Sequence, residues 1–271
     1  MKLQGISCLL TGATGGIGQQ FAHALANEGV SLILVGRKQD SLRELCSKLP
    51  GAHQIIQADI NTSQGRQDVL DTCRQNGQVS MLINNAGISE FIDFEQQTDL
   101  DVENIVAVNL VAAMLLSKHM LPILKAQSNS TLVNVGSAFG ALGYPYFASY
   151  CASKFGLKGF TEALKRETAN SSMKVMYFSP RATHTKINSA AVVAMNKRMG
   201  NHMDEPSTVA RALIKQLKSG TPRASIGFAE GFFAKLNAIF PALVDKALSG
   251  KLAVISQFIN KSSHTLEGNK T

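Results

Sequence analysis

A chain of 271 residues with 45% apolar and 17% charged side chains can bury one generous core, which suits a single α/β domain with a small appendage and argues against a large second domain. The formal charge of +8 and a pI near 9.4 fit an anionic partner, but the basic residues are scattered and no run of them interleaves with aromatics, which argues against nucleic acid. Cys8, Cys46, Cys73 and Cys151 are widely separated and no histidine stands at metal-ligand spacing, so neither a disulfide framework nor a metal site is expected and the reading is a reducing, cytoplasmic compartment.

The first residues reach Thr11-Gly12 too soon for a secretory apolar region, so Ile6 to Leu10 is read as a first strand. It runs into Thr11-Gly12-Ala13-Thr14-Gly15-Gly16-Ile17-Gly18, and Gln19 to Glu28 then has the period of a helix. Glycine permits the positive φ of a tight turn and lets a pyrophosphate approach backbone N–H groups at a helix N-terminus. The spacing is G-x-x-x-G-x-G, not the commoner G-x-G-x-x-G, and a plain strand-to-helix turn is the bland alternative. The next apolar run, Leu32 to Val35, ends at Gly36-Arg37-Lys38. An acidic residue at this turn would bind the ribose 2′-hydroxyl of NAD, whereas the planar fork of an arginine suits the 2′-phosphate of NADP. Arg37 therefore predicts NADP(H), with a solvated charge at a helix start as the alternative. Asp59 follows the Gln54 to Ala58 segment, and with Asn61 it could instead cap the next helix.

Val79 to Ile83 reads as a strand followed by Asn84-Asn85-Ala86-Gly87, whose amides can tie neighbouring strands while the glycine admits a nicotinamide ribose. The longest apolar stretch, Ile105 to Leu124, is interrupted by Asn109, Lys118 and His119, so the chain is expected to be soluble. Asn109 is costly to bury unless its amide is satisfied, and local backbone would do that. After the Thr131 to Val135 strand comes Ser137, whose hydroxyl can hold a carbonyl oxygen. Tyr150 and Lys154 lie further on at i and i+4, on one helix face. A tyrosine titrating near 10 works at neutral pH if a fixed ammonium and an oxidised nicotinamide favour its phenolate; a drop of about three pH units takes roughly 4 kcal/mol. Between them Phe139, Tyr144, Tyr146 and Phe147 crowd a loop marked by Gly143 and Pro145, either as the wall of an apolar substrate site or as core or subunit contact.

Val175 to Phe178 is the last strand expected. Thr183 to Asp204 should form a mobile segment over the substrate, with Met195, Met199 and Met203 at four-residue spacing as an adaptable apolar face or simply a packed helix. Composition shifts near Gly227, giving residues 1–227 as the dinucleotide-binding and catalytic domain and 228–271 as a C-terminal helical extension and tail. Phe232, Phe233, Leu236, Ile239, Phe240, Leu243, Val244, Ala247 and Leu248 recur at helical spacing around Pro241, with Lys235, Lys246 and Lys251 beside them. Such a segment packs on its own domain or a sister subunit, or makes a weak membrane-surface contact. His264 to Thr271 is read as a disordered polar end. Strands alternating with helices predict an α/β, Rossmann-type doubly wound parallel sheet flanked by helices, with ligands outside the carboxyl ends of the strands.

In this order, T-G-x-x-x-G-I-G at Thr11–Gly18, N-N-A-G at Asn84–Gly87, the buried Asn109, Ser137, and Y-x-x-x-K at Tyr150–Lys154 resemble the main NADP-dependent branch of the short-chain dehydrogenase/reductase family, over roughly Met1 to Gly227. The resemblance implies an oxidoreductase that reduces an apolar or acyl-type ketone or aldehyde to an alcohol, or the reverse, by hydride transfer with C4 of NADP(H). It implies that Ser137 orients the carbonyl, Tyr150 transfers the proton, Lys154 binds the ribose hydroxyls and lowers the tyrosine pKa, and Asn109 supports a relay water. Cofactor contacts would fall on Gly12, Thr14, Gly15, Gly16, Ile17, Gly18, Arg37, Asp59 at the adenine amino group with Ile60, Asn85, Ala86, Gly87, Tyr150, Lys154, Pro180, Thr183 and Thr185. A homodimer or homotetramer through the Tyr150 helix is implied as well. One departure stands out: Arg181 follows Pro180 where the family usually has glycine, so Arg181 either faces solvent or binds an anionic group in the cleft. The competing reading is a cofactor-binding sensor or scaffold on the same fold. Such proteins often lose the tyrosine or the lysine, and both stand here.

Overall fold

Short runs rich in valine, isoleucine and leucine, too brief for helices of their own, form the sheet. Its strands are β1 (Ser7–Thr11), β2 (Ser31–Gly36), β3 (Gln54–Gln57), β4 (Val79–Asn84), β5 (Thr131–Val135), β6 (Lys174–Ser179) and β7 (Arg223–Ser225). They pair in parallel in the order β3-β2-β1-β4-β5-β6-β7. The doubly wound parallel sheet expected from the alternation is thus the one observed. The computed structural model describes residues 1–267, those of 228–230 and 260–267 by backbone alone.

Every residue of β1 and β5 is buried, because helices cover both faces. The helices flanking the first half are α1 (Gly16–Asn27), α2 (Gln39–Ser47) and α3 (Ser63–Asn76); α4 (Asp99–Val106), α5 (Ala112–Lys125), α6 (Ala148–Glu167), α7 (Ala190–Met199) and α8 (Pro206–Ser219) follow. On one face Phe21 and Leu25 of α1, Leu42 of α2 and Leu213 of α8 fill the core. On the other, Leu70 of α3, Leu116, Met120 and Leu124 of α5, and Leu164 of α6 do so. Strand order reverses between β1 and β4, so their crossovers leave in opposite directions and open a crevice at the carboxyl edge.

A buried amide ladder tightens that edge. Asn84 donates to Oδ1 of Asn134 at 2.8 Å and to Oγ of Ser117 at 2.9 Å, and Asn134 donates to Oγ1 of Thr161 at 2.8 Å. Two strands and two helices are thereby joined. The rod from Asp99 to Lys125 is long and apolar enough to cross a membrane by length and composition, yet Leu116, Met120 and Leu124 are buried against the sheet. Between α4 and α5 the rod widens into a π turn, Ala107–Val111, centred on Asn109, a device that commonly marks functional sites. Strand β7 escaped the sequence reading because Arg223-Ala224-Ser225 has no apolar run; it forms because β6 offers it an edge.

Beyond the sheet come α9 (Phe228–Ile239), α10 (Pro241–Ser249) and α11 (Leu252–Glu267). Val244 and Ile255 are buried, and Asn237 donates to the Ala141 carbonyl at 3.1 Å, so this segment packs on its own domain along one face. The tail expected to be disordered from His264 is helical to Glu267; its last residues, 268–271, lie outside the described residues.

Candidate active site

The carboxyl edge of β1 turns through Gly12, whose φ of 62° suits glycine. A Cβ at Gly12 would fall within 2.7 Å of the Ala86 Cα, and one at Gly18 would overlap the Gly12 carbonyl. The turn is therefore packed backbone to backbone. Asn85 seals it from the β4 side, donating to the Thr11 and Gly12 carbonyls at 3.1 Å each. The N-terminus of α1 has no side-chain cap and no acidic residue in its first turn, which leaves amide groups and the positive end of the helix dipole facing the crevice.

A groove of ≈ 1160 Å³ runs past this turn, lined by Gly12, Thr14 to Gly18, Arg37, Asp59, Ile60, Asn85 to Gly87 and Thr185. Two buried polar atoms in it, Asn61 Oδ1 and Thr185 Oγ1, have no hydrogen-bond partner, which argues for a polar occupant. Uncapped amides, an exposed arginine and orphaned acceptors fit a dinucleotide. Arg37 closes β2 and is exposed. Asp59 does not cap α3: that cap is Thr62, which accepts from the Gly65 N–H at 3.0 Å, while Asp59 accepts from the Asn61 N–H at 2.9 Å.

Where the groove ends, the reactive side chains converge. Tyr150 and Lys154 occupy successive turns of α6, and the Lys154 Nζ lies 5.8 Å from the Tyr150 ring centroid. Lys154 is buried and donates to the Val135 carbonyl at 3.0 Å. An ammonium has three donors, so two more remain beyond the bond to Val135. Asn109 is 1% exposed; its Oδ1 accepts from the Ile88 N–H at 2.8 Å, and its Nδ2 donates to the Ile88 carbonyl at 2.9 Å and to Ser153 Oγ at 3.0 Å. Both amide protons are thus spent on holding the Gly87-Ile88 segment and the Tyr150 helix. A relay water would have to use other atoms. The partner backbone is also not local, since Ile88 stands 21 residues away.

The electrostatics of the protein without nucleotide are set by burial. In the protein alone Tyr150 is not lowered: burial pushes its hydroxyl up to about 12, offset in part by a hydrogen bond with Ser137. Burial likewise brings Lys154 down to about 8. Both follow from removing a charged form from water, and the ammonium lies over the ring while donating to Val135. At neutral pH Tyr150 is therefore a protonated acid.

Beside these groups a second cavity of ≈ 320 Å³ is lined by Ser137, Tyr150, Lys154 and an apolar wall that includes Phe139, Phe147, Met195 and Leu248. The aromatic crowd serves both roles foreseen for it. Phe139 stacks on Tyr144 with centroids 4.8 Å apart and both line the cavity, whereas Tyr146 packs edge-on against Phe91 at 6.0 Å. Met195 and Met199 of α7 reach the cavity and Met203 is absent from its lining. Phe233, Val244, Ala247, Leu248 and Lys251 of the C-terminal segment complete the wall, which nothing in the sequence pattern foretold.

Arg181 reaches the cavity lining, as one of the two alternatives had it, and it is paired there with a carboxylate of the chain itself. Its Nε and Nη2 pair with the two carboxylate oxygens of the buried Asp204 at 2.9 Å each. Thr183 forms a bridge with Asp204, and the Asp204 N–H donates to the Ala182 carbonyl at 2.8 Å. The segment over the cavity is thus clasped at its base. Pro180 and Thr183 line the cavity, and Thr185 sits against Gly16.

Tyr177 of β6 is the site residue that sequence reasoning missed. Its buried hydroxyl meets the Ser137 N–H at 3.4 Å and the Ser137 carbonyl at 3.5 Å. A Cβ on Gly136 or Gly140 would overlap that hydroxyl. The signal available was a tyrosine, with a polar hydroxyl, inside the otherwise apolar Val175 to Phe178 run.

Comparisons with known proteins agree with this geometry. The family model described as short chain dehydrogenase matches residues 7–196. A ketoacyl reductase, HetN, of Nostoc sp. is 33% identical over 224 residues, covering 81% of this chain and 77% of that protein. A short-chain dehydrogenase from Sphingobium yanoikuyae, solved with NADPH, superposes with a TM-score of 0.75 at 25% identity over 89% of this chain and 96% of its own. A Burkholderia phymatum enzyme of the same description, solved with NAD, gives 0.81 at 20% identity over 90% and 96%, a likeness of fold alone.

Proposed function

Since the chain belongs to the short-chain dehydrogenase/reductase family, we propose that it is an NADP(H)-dependent oxidoreductase interconverting an apolar or acyl-type ketone or aldehyde and its alcohol. The observation that carries the reading is the convergence of Ser137, Tyr150 and Lys154 where a polar dinucleotide groove meets an apolar cavity. When bound, the cofactor supplies or accepts a hydride at nicotinamide C4. The Ser137 Oγ accepts from the Phe139 N–H at 3.1 Å and is hydrogen-bonded to Tyr150, so a substrate oxygen entering there would meet both hydroxyls. Tyr150, held in its acid form by burial, delivers the proton to a developing alkoxide. The two remaining donors of Lys154, which lines the cavity, suit ribose hydroxyls, and the ammonium charge favours the phenolate when the reaction runs toward the ketone. Asn109 is a positioning residue for Gly87-Ile88.

NADP over NAD is supported by the exposed Arg37 at the end of β2, with no carboxylate paired to it among the described residues, and by the NADPH complex of the Sphingobium relative. The Nostoc relative is called a ketoacyl reductase, in keeping with an acyl-type carbonyl. A cytoplasmic setting suits the four free cysteines. A homodimer through the Tyr150 helix is supported by Val111, Met114 and Phe155, large apolar side chains exposed on adjoining turns. Loss of NADPH absorbance, followed with β-ketoacyl esters, steroids, quinones and simple aldehydes and repeated with NADH, tests the reading. Turnover of at least one apolar ketone with NADPH preferred is expected, and no turnover across the panel, or equal use of NADH, overturns the corresponding part.

A further inference from the structure

The C-terminal helices are amphipathic in a way that their packing does not exhaust. Val244 faces inward, and Phe233, Ala247, Leu248 and Lys251 wall the cavity. On the other side the elbow between α9 and α10 reads Ile239-Phe240-Pro241-Ala242-Leu243, and all five residues are exposed. Ile239 is 67%, Leu243 58% and Phe240 55% exposed, and Phe232 stands two turns before Ile239 at 54%. Surface apolar residues taken singly need no explanation, but a contiguous projecting set of this size marks an interaction site. Phe233 belongs to both surfaces: it lines the cavity and is 45% exposed.

Three occupants compete for this face. Residues 260–271 carry a single large apolar residue, Leu266, too little to cover it. A second copy related by a two-fold axis would set the same patch against itself. Between Gly231 and Leu252 the charged residues are Lys235, Asp245, Lys246 and Lys251, all exposed, so two copies would bring net positive faces together. An anionic bilayer surface answers both features, since its acyl boundary accepts the elbow and its headgroups attract the lysines.

We propose that the elbow Ile239–Leu243 inserts into the headgroup boundary of an anionic membrane, with Lys235 and Lys246 on the phosphates, and that the cavity behind it takes its apolar carbonyl from that membrane. The second half rests on the reading of the cavity as a carbonyl site; the docking itself does not. The Ile239, Phe240 and Leu243 side chains are absent from the cavity lining, so they can be altered without touching the reactive groups.

The test is flotation of the full-length protein with phosphatidylcholine vesicles, with and without phosphatidylglycerol, for the wild type and the triple variant Ile239→Ser/Phe240→Ser/Leu243→Ser. The wild type is expected to float with the phosphatidylglycerol vesicles, and the triple variant to lose about tenfold or more in partitioning while keeping its urea midpoint and its solution mass. Failure of the wild type to float, equal flotation of the variant, or a drop in the variant's solution mass, which would assign the face to a second copy, each overturns the proposal. A kinetic arm separates the two readings. With an apolar ketone dissolved in the vesicles the variant should be slower than the wild type by a similar factor, and with a water-soluble ketone it should match it. Equal rates on the vesicle ketone contradict membrane supply, whereas no turnover of either ketone by the wild type contradicts the carbonyl reading and leaves the flotation result standing.

Discussion

Lys154 offers a prediction whose sign runs against ordinary expectation for a buried charge partner: Lys154→Met should stabilise the nucleotide-free protein while disabling it. Burial lowers the ammonium from its ordinary 10.5 to about 8, and at about 1.4 kcal/mol per tenfold change holding that charge inside opposes folding by about 3 kcal/mol at neutral pH. Methionine fills a similar volume without the charge. It gives up the hydrogen bond to the Val135 carbonyl, a loss of about 1 kcal/mol, so the net gain is about 2 kcal/mol, of the order of 4 °C in a chain of this size. The sign with pH follows from linkage. A folded pKa below the unfolded one means that the unfolded chain holds more protons between about 8 and 10.5, so the wild type gains on the variant as pH rises through that window. Urea denaturation of both proteins at several pH values measures it. A variant less stable than the wild type at pH 7, or a gap that does not shrink between pH 8 and 10, refutes the reasoning.

Further predictions touch the other parts of the site. Arg37→Ala should weaken NADPH binding by about tenfold to a hundredfold, the worth of a charge-assisted pair, and leave NADH unchanged, as titration by fluorescence would measure. Asp204→Asn breaks the clasp with Arg181 and should raise KM for an apolar ketone more than it lowers kcat, with faster proteolytic nicking between residues 183 and 204; an unaltered KM would assign the clasp to stability alone. Gly136→Ala drives a methyl into the Tyr177 hydroxyl and should destabilise by about 1–3 kcal/mol, with Tyr177→Val in the same chain restoring most of the loss in a urea titration.

What the sequence made legible was local. The glycine turn, Arg37 and the Tyr150–Lys154 pair depend on spacings within one turn or one helix, and residue type alone carries their chemistry. The parallel sheet covered by helices on both faces followed from strand and helix alternation. What it hid depends on groups brought together from far along the chain. Asp204 stands 23 residues from Arg181, and neither side chain hints at the other. Tyr177 stands 40 residues from Ser137, and its role shows only when Gly136 and Gly140 are seen to make room for it. Spacing reports the proximity of Lys154 to Tyr150 but not the desolvation that both groups share, which in the protein without nucleotide raises the tyrosine. The helical extension divided into a cavity wall and an exposed elbow, a division set by how it docks and not by its apolar period.

The central claim is that Tyr150 is the proton donor and acceptor at a site that binds nucleotide without it. Tyr150→Phe removes only the hydroxyl oxygen, so NADPH should bind within about twofold of the wild type while turnover of the best ketone falls by about a hundredfold to ten-thousandfold, the range of general acid catalysis. Retention of full turnover by that variant would contradict the account.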